Sequence, residues 1–599
     1  MPAVEGLEHR TLLSFGLTSS LAIGGAGVNA LAVDAHGNSF VAGNFTGTVN
    51  FNPNPSGPPD QLSSADSNTD EGFVAEYSRS NMLIWVHAIQ AASGGEVDPE
   101  SLVVNPTDGS IDVAGFGQGN VNFDPGTTSQ SYSLDTGDAA FMVRLTAAGA
   151  LAENGVVFFA GTGGSSFAVA ESIALDPTNQ YLYVTGDFDG TAEYVAFGAP
   201  TLTSGDGGSD EGTFILKLDT DLSYVWSTTS GLVGGGQAIA VRNDGTVVVA
   251  GTLEPPAVII GSAAGVYVEA LTSAGAILHL QEFGTDGGSP PSAGADALAV
   301  DSSGDVYVAG PYFIDIAIGG VPLNLVAGTS GGNADSTFLV KLGPSLNVVW
   351  ARGFGSSTND IGTLPTTLAI DSSNNLYLCG ALGGTTTFGT TTGPGTLISI
   401  SATTASPKAC LLKVDSSGDL LDWATASGPG ASEVAAAAVT PSGSIEVAGV
   451  MSAATTWGPV AIEPPAGAIG SFFLADLMEG TGGGSSGAIA PVFLGESRVV
   501  VRLGKHHKKT TYYQLDFSGP LEPTEVIAPG LYPVTQVRKM SKHRTRTTHV
   551  GVSYVTYNST TDTVLLSLGK FAKHKPLTLS ASGLVGANGA VVRPFSTTL

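Results

Sequence analysis

The chain has 599 residues, too many for one ordinary hydrophobic core, so several domains or a repeat array are expected. Glycine is abundant (82 residues), 13% of residues are charged and 42% are hydrophobic; this mixture excludes general disorder and suits short strands joined by tight turns. The formal charge of −29 is uneven: from Ile489 onward 14 Lys and Arg stand against 5 Asp and Glu, a net +9 that leaves −38 on the preceding part. Such a field excludes nucleic acid as a partner of the larger part.

In chain order, the first readable strand lies in "TLLSFGLTSSLAIGGAG" (Thr11–Gly27). It is followed by seven copies of one pattern, anchored on a small-small-Gly step at Gly43, Gly115, Gly186, Gly251, Gly310, Gly380 and Gly449, with steps of 59 to 72 residues. Each copy opens with a short strand of small residues, such as ALAV (Ala30–Val33), SLVV (Ser101–Val104) or AAAV (Ala436–Val439). A turn and the anchored strand follow. An apolar residue then precedes Gly or Asx: Phe51, Phe123, Phe197, Ile260, Ile318, Phe388 and Trp457. The third strand reads FVAEY, FMVRL, FILKL, YVEAL, FLVKL, CLLKV or FLADL, and the fourth often carries Trp, as at Trp85, Trp226, Trp350 and Trp423.

Four antiparallel strands repeated seven times predict an all-β, seven-bladed β-propeller over residues 11–477. The seventh copy lacks a fourth strand, because "MEGTGGGSSGA" follows FLADL directly. Leu12–Leu17 is therefore expected to complete the last blade and close the ring, removing two open sheet edges. Residues 478–489 read as a Gly/Ser-rich linker. Residues 490–599, with "RVVVRL", "TYYQLDF", "HVGVSYVTYN" and "TVLLSL", form a separate β unit. Its basic character fits either contact with an anionic polymer or a Lys-rich edge that resists aggregation.

The copies resemble the SBBP-type seven-bladed propeller repeat (D-x-x-G-N-x-Y-V-x-G, then F-G or F-D-P-G, then D-x-F-[LV]-x-K-L) over nearly all of residues 10–477; "VDSSGDVYVAG" and "TFLVKL" match well, while Arg242 and Thr440 replace the Asp in copies four and seven. "VEGLEHRTLLS" (Val4–Ser14) resembles the "VE-x-LE-x-R-x-LLS" segment of planctomycete-type secreted proteins, so residues 1–10 read as a sorting-like segment. The basic stretch that usually precedes it is absent, which places the expected start of the chain further upstream. "LDFSGPLEPTEV" and the closing "SGLVGANG" resemble bacterial Ig-like domains, which implies a β-sandwich for residues 490–599. Together these resemblances imply an extracellular or cell-envelope protein and identify no ligand. No apolar run reaches the ~20 residues of a membrane span.

Asp34, Asp176, Asp301 and Asp371 begin D-x-x-G or D-x-x-N turns, where an Asp accepts backbone N–H groups. With about one carboxylate each, they are read as turn chemistry rather than calcium loops. The polar residues just before the first strands are the candidate site: Asn29, Glu100, Glu171, Gln237, Asp296 and Thr366, with Glu433 nearby in the last copy. Ringing one mouth of a central channel, they would hold a hard cation such as calcium or a polar ligand, or else cap a hydrated opening. The acidic loops "SSADSNTDEG" (Ser63–Gly72) and "SGDGGSDEG" (Ser204–Gly212) are read as solvated connections, and the histidines are scattered. Cys379 and Cys410 fit one bridge or two buried thiols, the second being preferred.

No G-x-S-x-G, HExxH, P-loop or CxxC occurs; "VDSSGDLLDW" (Val414–Trp423) resembles a sialidase Asp-box but departs from its spacing. The expected function is therefore a non-catalytic binding or adhesion scaffold, its partner a protein or polysaccharide at the cell surface. The alternative is a carbohydrate-active propeller, a polysaccharide lyase or glycoside hydrolase, with a carboxylate pair assembled from different blades.

Overall fold

The computed structural model describes residues 15–479 and 493–598 apart from several loops (55–58, 68, 126–129, 162–166, 195–198, 205–210, 254–263, 286–292, 314, 324–335, 357–363, 384, 389–395, 400–405, 459, 469, 504–507, 518–533, 542–543, 551, 559–562, 569–576 and 582–594). Among the described residues the regular structure is all β, built of antiparallel meanders. Two units divide the chain: one spans Leu12–Thr440 with Ile445–Leu477, and the other is chiefly Met478–Leu599.

In the larger unit the first repeat shows the pattern. Ala30–Val33, Ser39–Phe45, Glu71–Tyr77 and Leu83–Ala91 pair consecutively as a meander. Asp34 makes its first turn: its Oδ1 accepts the N–H groups of His36 and Asn38, both at 2.8 Å, and Gly37 takes φ +82°. The same Asp-to-backbone geometry recurs at Asp301 and Asp371, and one residue longer at Asp176. These four residues are turn-makers, as the sequence implies.

Third strands such as Glu71–Tyr77 and Ser336–Leu342 are buried along their whole length. Their near-continuous apolar runs follow from being covered on both faces, where an alternating pattern would leave one face for water. Aromatic pairs join successive repeats: Phe159 lies 4.3 Å from Phe214, and Phe283 meets Phe338 edge-on at 6.1 Å.

The first strands lie side by side in sequence order: Ala30–Val33, Glu96–Val104, Ala168–Leu175, Gly236–Val241, Ala297–Val300, Leu364–Ile370 and Ser432–Val439, the last adjacent to the first. Side chains link some of them, since Ser101 Oγ accepts the Ile173 N–H and Ser172 Oγ the Ile239 N–H, each at 3.3 Å. Among the described residues no sheet closes on itself.

The N-terminal strand, Phe15–Gly24, pairs with Ser471–Glu479 of the last repeat, giving a sheet whose order runs from chain start to chain end and back to Ser432–Val439. Its described part starts at Phe15; residues 12–14 of the expected Leu12–Leu17 lie outside the described ones. Thr18 Oγ1 donates to Asp476 Oδ2 at 2.6 Å, and Leu21 and Ile23 enter a core that also holds Phe73 and Phe472, stacked 5.8 Å apart.

One element escaped the sequence reading. Between second and third strands several repeats insert a small hairpin that reaches back to the preceding repeat. The hairpin of Thr191–Tyr194 and Leu202–Thr203 pairs with Leu151–Gly161 through Phe159↔Tyr194. The hairpin strand Thr455–Trp457 likewise pairs with Leu420–Ser427 through Ala426↔Trp457. The recurrent apolar residue seats this region: Phe51, Phe123, Ile318 and Trp457 are buried. Phe197 and Ile260 lie outside the described residues.

The smaller unit holds two four-stranded antiparallel sheets. One consists of Phe493–Leu503, Lys508–Phe517, Thr563–Leu568 and Val552–Asn558, the other of Arg544–Val550, Val534–Ser541, Leu577–Ala581 and Phe595–Thr598. The closing "SGLVGANG" lies outside the described residues.

Candidate functional site

The first strands converge on a cavity of about 200 Å³ whose lining includes Asn29, Glu100, Glu171, Gln237 and Asp296. Five of the seven expected ring residues are thus brought together. The reason is local: Glu100, Glu171, Gln237 and Thr366 each fall where the register with the second strand slips, between Pro99 and Ser101, Ala170 and Ser172, Gly236 and Ala238, and Pro365 and Thr367. A β-bulge carries one residue more than its partner strand and re-aims that side chain. Thr366 shares the backbone position; its side chain lies outside the described ones.

Glu433 corrects the expectation. In the last repeat the register slips between Val434 and Ala436, so the bulged residue is Ala435, and Ala435 rather than Glu433 lines the cavity. Glu433 sits two residues earlier, paired with Val450.

The bulges also explain the glycine anchors. A Cβ on Gly186 would overlap the Val169 carbonyl oxygen, and one on Gly115 the Asp98 carbonyl oxygen. Equivalent carbonyls crowd Gly43, Gly251, Gly310 and Gly449. Only glycine lets the bulged backbone approach so closely.

The ring residues are not alike. Asn29 Nδ2 donates to Asp98 Oδ1 (2.8 Å) and to the Pro99 carbonyl (3.0 Å), and Asn44 Nδ2 donates to the same Asp98 oxygen (3.0 Å). Gln237 Oε1 accepts the Thr252 N–H at 2.6 Å. Both amides are thus tied into the scaffold, leaving Glu100, Glu171 and Asp296 as the carboxyls of the cavity.

All three are harder to ionise than usual. Burial, then the nearby Asp98 and Glu171, push Glu100 up to about 8. Burial, then Glu211 and Asp98, push Glu171 up to about 6. Asp296 is raised to about 7 by the protein crowded round it, although its side chain is exposed to solvent in the cavity. Because water reaches Asp296, its charge is better screened than that of Glu100.

Two further carboxyls stand behind the ring and were not foreseen. Asp98 is raised to about 6 by burial, against the amides that favour its ionised form. Asp187 is held well above the usual range by burial and by Glu171 and Glu211, while the Gly236 N–H donates to it at 2.7 Å. Their signals were present as "VDPE" two residues ahead of a ring position and as the Asp that follows the anchor Gly186.

Among the described residues, the cavity lining contains no His, Tyr, Lys or Arg, and no group of three or more His, Cys, Asp or Glu side chains is arranged to hold a metal ion. The loop over Ser63–Gly72 is tied up by its own chain: Ser93 Oγ donates to Asp66, and the Ala65 N–H donates to buried Glu71. Most of Ser204–Gly212 lies outside the described residues. The histidines of the repeat region stay apart: His36 is exposed beside Asp34, His87 is buried with Nε2 2.8 Å from the Phe123 carbonyl, and His279 lies on an exposed outer strand. His9 lies outside the described residues.

Cys379 and Cys410 are buried thiols rather than a disulfide. Cys379 pairs with Leu411 and Cys410 with Gly380, so the two side chains project from opposite faces of the sheet and enter different cores. This geometry overturns the idea of a bridge. No helix among the described residues is long and apolar enough to cross a membrane.

No family model and no curated protein matches the chain. Among solved structures, it is similar to a protein of unknown function from Bacteroides caccae, at 12% identity and TM-score 0.29, over 59% of this chain and 89% of that one. It is also similar to the polysaccharide lyase Uly1, at 8% identity and TM-score 0.35, over 75% of this chain and 89% of the other. Neither likeness bears on activity.

Proposed function

We propose that the chain is a secreted or cell-envelope binding and adhesion scaffold without catalytic activity. In this reading the larger unit is a seven-bladed β-propeller of the SBBP type, closed by its N-terminal strand. The smaller unit is an Ig-like β-sandwich. The partner is a protein or polysaccharide at the cell surface, met in part at the channel mouth.

The observation that carries this reading is the make-up of the cavity: carboxyls and scaffold-bound amides, with no His, Tyr, Lys or Arg among its described lining residues. A lyase needs a base and a group that neutralises the substrate carboxylate, and the described lining offers no cation for the second role. Glu100, raised to about 8, and Glu171, raised to about 6, differ in how readily they ionise, so absence of turnover rather than the shifts separates this reading from a glycosidase. Such a ring suits hydroxyl groups or a hard cation, and repels polyuronates.

A glycan array probed with the whole protein, with and without chelator, tests the reading. Binding without turnover is expected, and a chelator-sensitive signal would assign calcium to the ring. Release of shortened or unsaturated sugars from any bound glycan would overturn the non-catalytic assignment.

A further inference from the structure

The third position of the third-strand motif faces the preceding repeat in every copy. It is Ala75, Val143, Leu216, Val340, Leu412 and Ala475 in six of them, each within a hydrophobic core. In the fourth repeat it is Glu269. This side chain is 0% exposed, and neither carboxyl oxygen has a hydrogen-bond partner among the described residues. Its cross-strand neighbours are Val249 and Leu280, and its face of the sheet is packed with Ile215, Ile239, Val247 and Leu271.

We propose that the joint between the third and fourth repeats is a proton-operated seam, closed while Glu269 is neutral and loosened when it ionises. An uncompensated carboxylate in an apolar layer is far costlier than the neutral acid, and separating the layer to admit water relieves that cost. Burial alone accounts for the upward shift of this carboxyl, to about 7.

The other ionisable groups on the packed elements leave it uncompensated: on the neighbouring strand Glu282, opposite Tyr267 on the same face, is a second acid and is exposed, and His279, opposite Ala270, lies on the other face. Tyr267, on the same strand, has its hydroxyl 2.5 Å from Thr213 Oγ1, with Asp187 beyond. Across the joint, Lys217 lies over the Tyr181 and Tyr183 rings and donates to the Ser273 carbonyl at the edge of the layer. The joint is also polar where its neighbours are aromatic: Thr213 and Tyr267 meet here, whereas Phe159 meets Phe214 one joint earlier.

The sign is set by the direction of the shift. The neutral acid is retained in the closed joint up to about pH 7, while an opened joint would release its proton near the ordinary value of 4.5. Closure is therefore complete in acid and weakens progressively as pH rises between those values.

Hydrogen exchange of the full chain, followed by mass spectrometry at about pH 5.5 and about pH 8 with intrinsic rates divided out, tests this. Strands Gly212–Asp219 and Ala264–Leu271 should lose protection at the higher pH by roughly 30-fold, with Ser336–Leu342 much less affected. Glu269→Gln and Glu269→Leu should each abolish the difference. Equal protection of the joint at both pH values, or the wild-type pH response persisting in whichever variant folds, would overturn the proposal.

Discussion

The steric role of Gly186 yields a direct expectation. An added Cβ would meet the Val169 carbonyl, which belongs to the bulge that presents Glu171. Gly186→Ala should therefore destabilise the protein by about 1–3 kcal/mol, seen as a lower denaturant midpoint, and should disturb the ring as well. An unchanged midpoint would mean that the bulge is not what requires glycine. The glycine was legible as a seven-fold repeat, but its cause was not, because a bulge is a pairing event between segments some fifteen residues apart. The same blindness misplaced Glu433, since counting back from a strand does not reveal which residue is extruded. Glu100 carries the second expectation at this scale. Its carboxyl is raised from 4.5 to about 8, so the stability it supports is intact in acid and is lost progressively as pH rises through that window. Glu100→Gln should be more stable than the parent at pH near 8 by ~1–2 kcal/mol, allowing for water in the cavity, and should show no such gain near pH 4. Denaturant titrations at the two pH values decide it.

At the scale of elements, strand type and order were readable because each short apolar run is bounded by Asp, Asn and Gly turns. The partner of the N-terminal strand was readable too, from a missing fourth strand at the far end of the array. The back-reaching hairpins were not, because strands as short as Leu202–Thr203 carry no periodic signal. Removing residues 15–24 should expose the edge of Ser471–Glu479 and withdraw Leu21 and Ile23 from the core shared by the first and last repeats. A lower thermal midpoint with concentration-dependent aggregation is expected, and unchanged melting would sink the assignment. A smaller device links the outer strands. Trp226 Nε1 and Lys217 Nζ both donate to the Ser273 carbonyl of the next repeat at 3.0 Å, and Trp350 Nε1 repeats the contact with the Ser416 carbonyl at 3.1 Å. Trp226→Phe keeps the ring and removes the donor, so a loss of about 0.5–1.5 kcal/mol in denaturant titration is expected.

For the whole molecule, the charge of −29 and the direction of the carboxyl shifts act together. Asp98, Glu100, Glu171, Asp187, Glu269 and Asp296 are all raised, chiefly by burial, so each supports folding in acid and ceases to do so as pH rises. Asp108, Asp176, Asp244 and Asp371 are lowered, with hydrogen bonds to the ionised form prominent among the causes; their support is present above the ordinary value of 3.8 and is lost below it. His87, lowered by burial, also favours the higher side, since it must stay neutral in its apolar seat. The raised carboxyls outnumber that single histidine, and self-repulsion of the acidic chain grows as they ionise. The thermal midpoint should accordingly peak at roughly pH 4.5–6 and fall toward pH 8. Added sodium chloride should raise the midpoint more at about pH 8 than at about pH 5, because screening relieves the repulsion that ionisation creates. A midpoint that climbs steadily from pH 5 to 8, measured by scanning fluorimetry across a buffer and salt matrix, would show that paired surface charges outweigh the buried carboxyls.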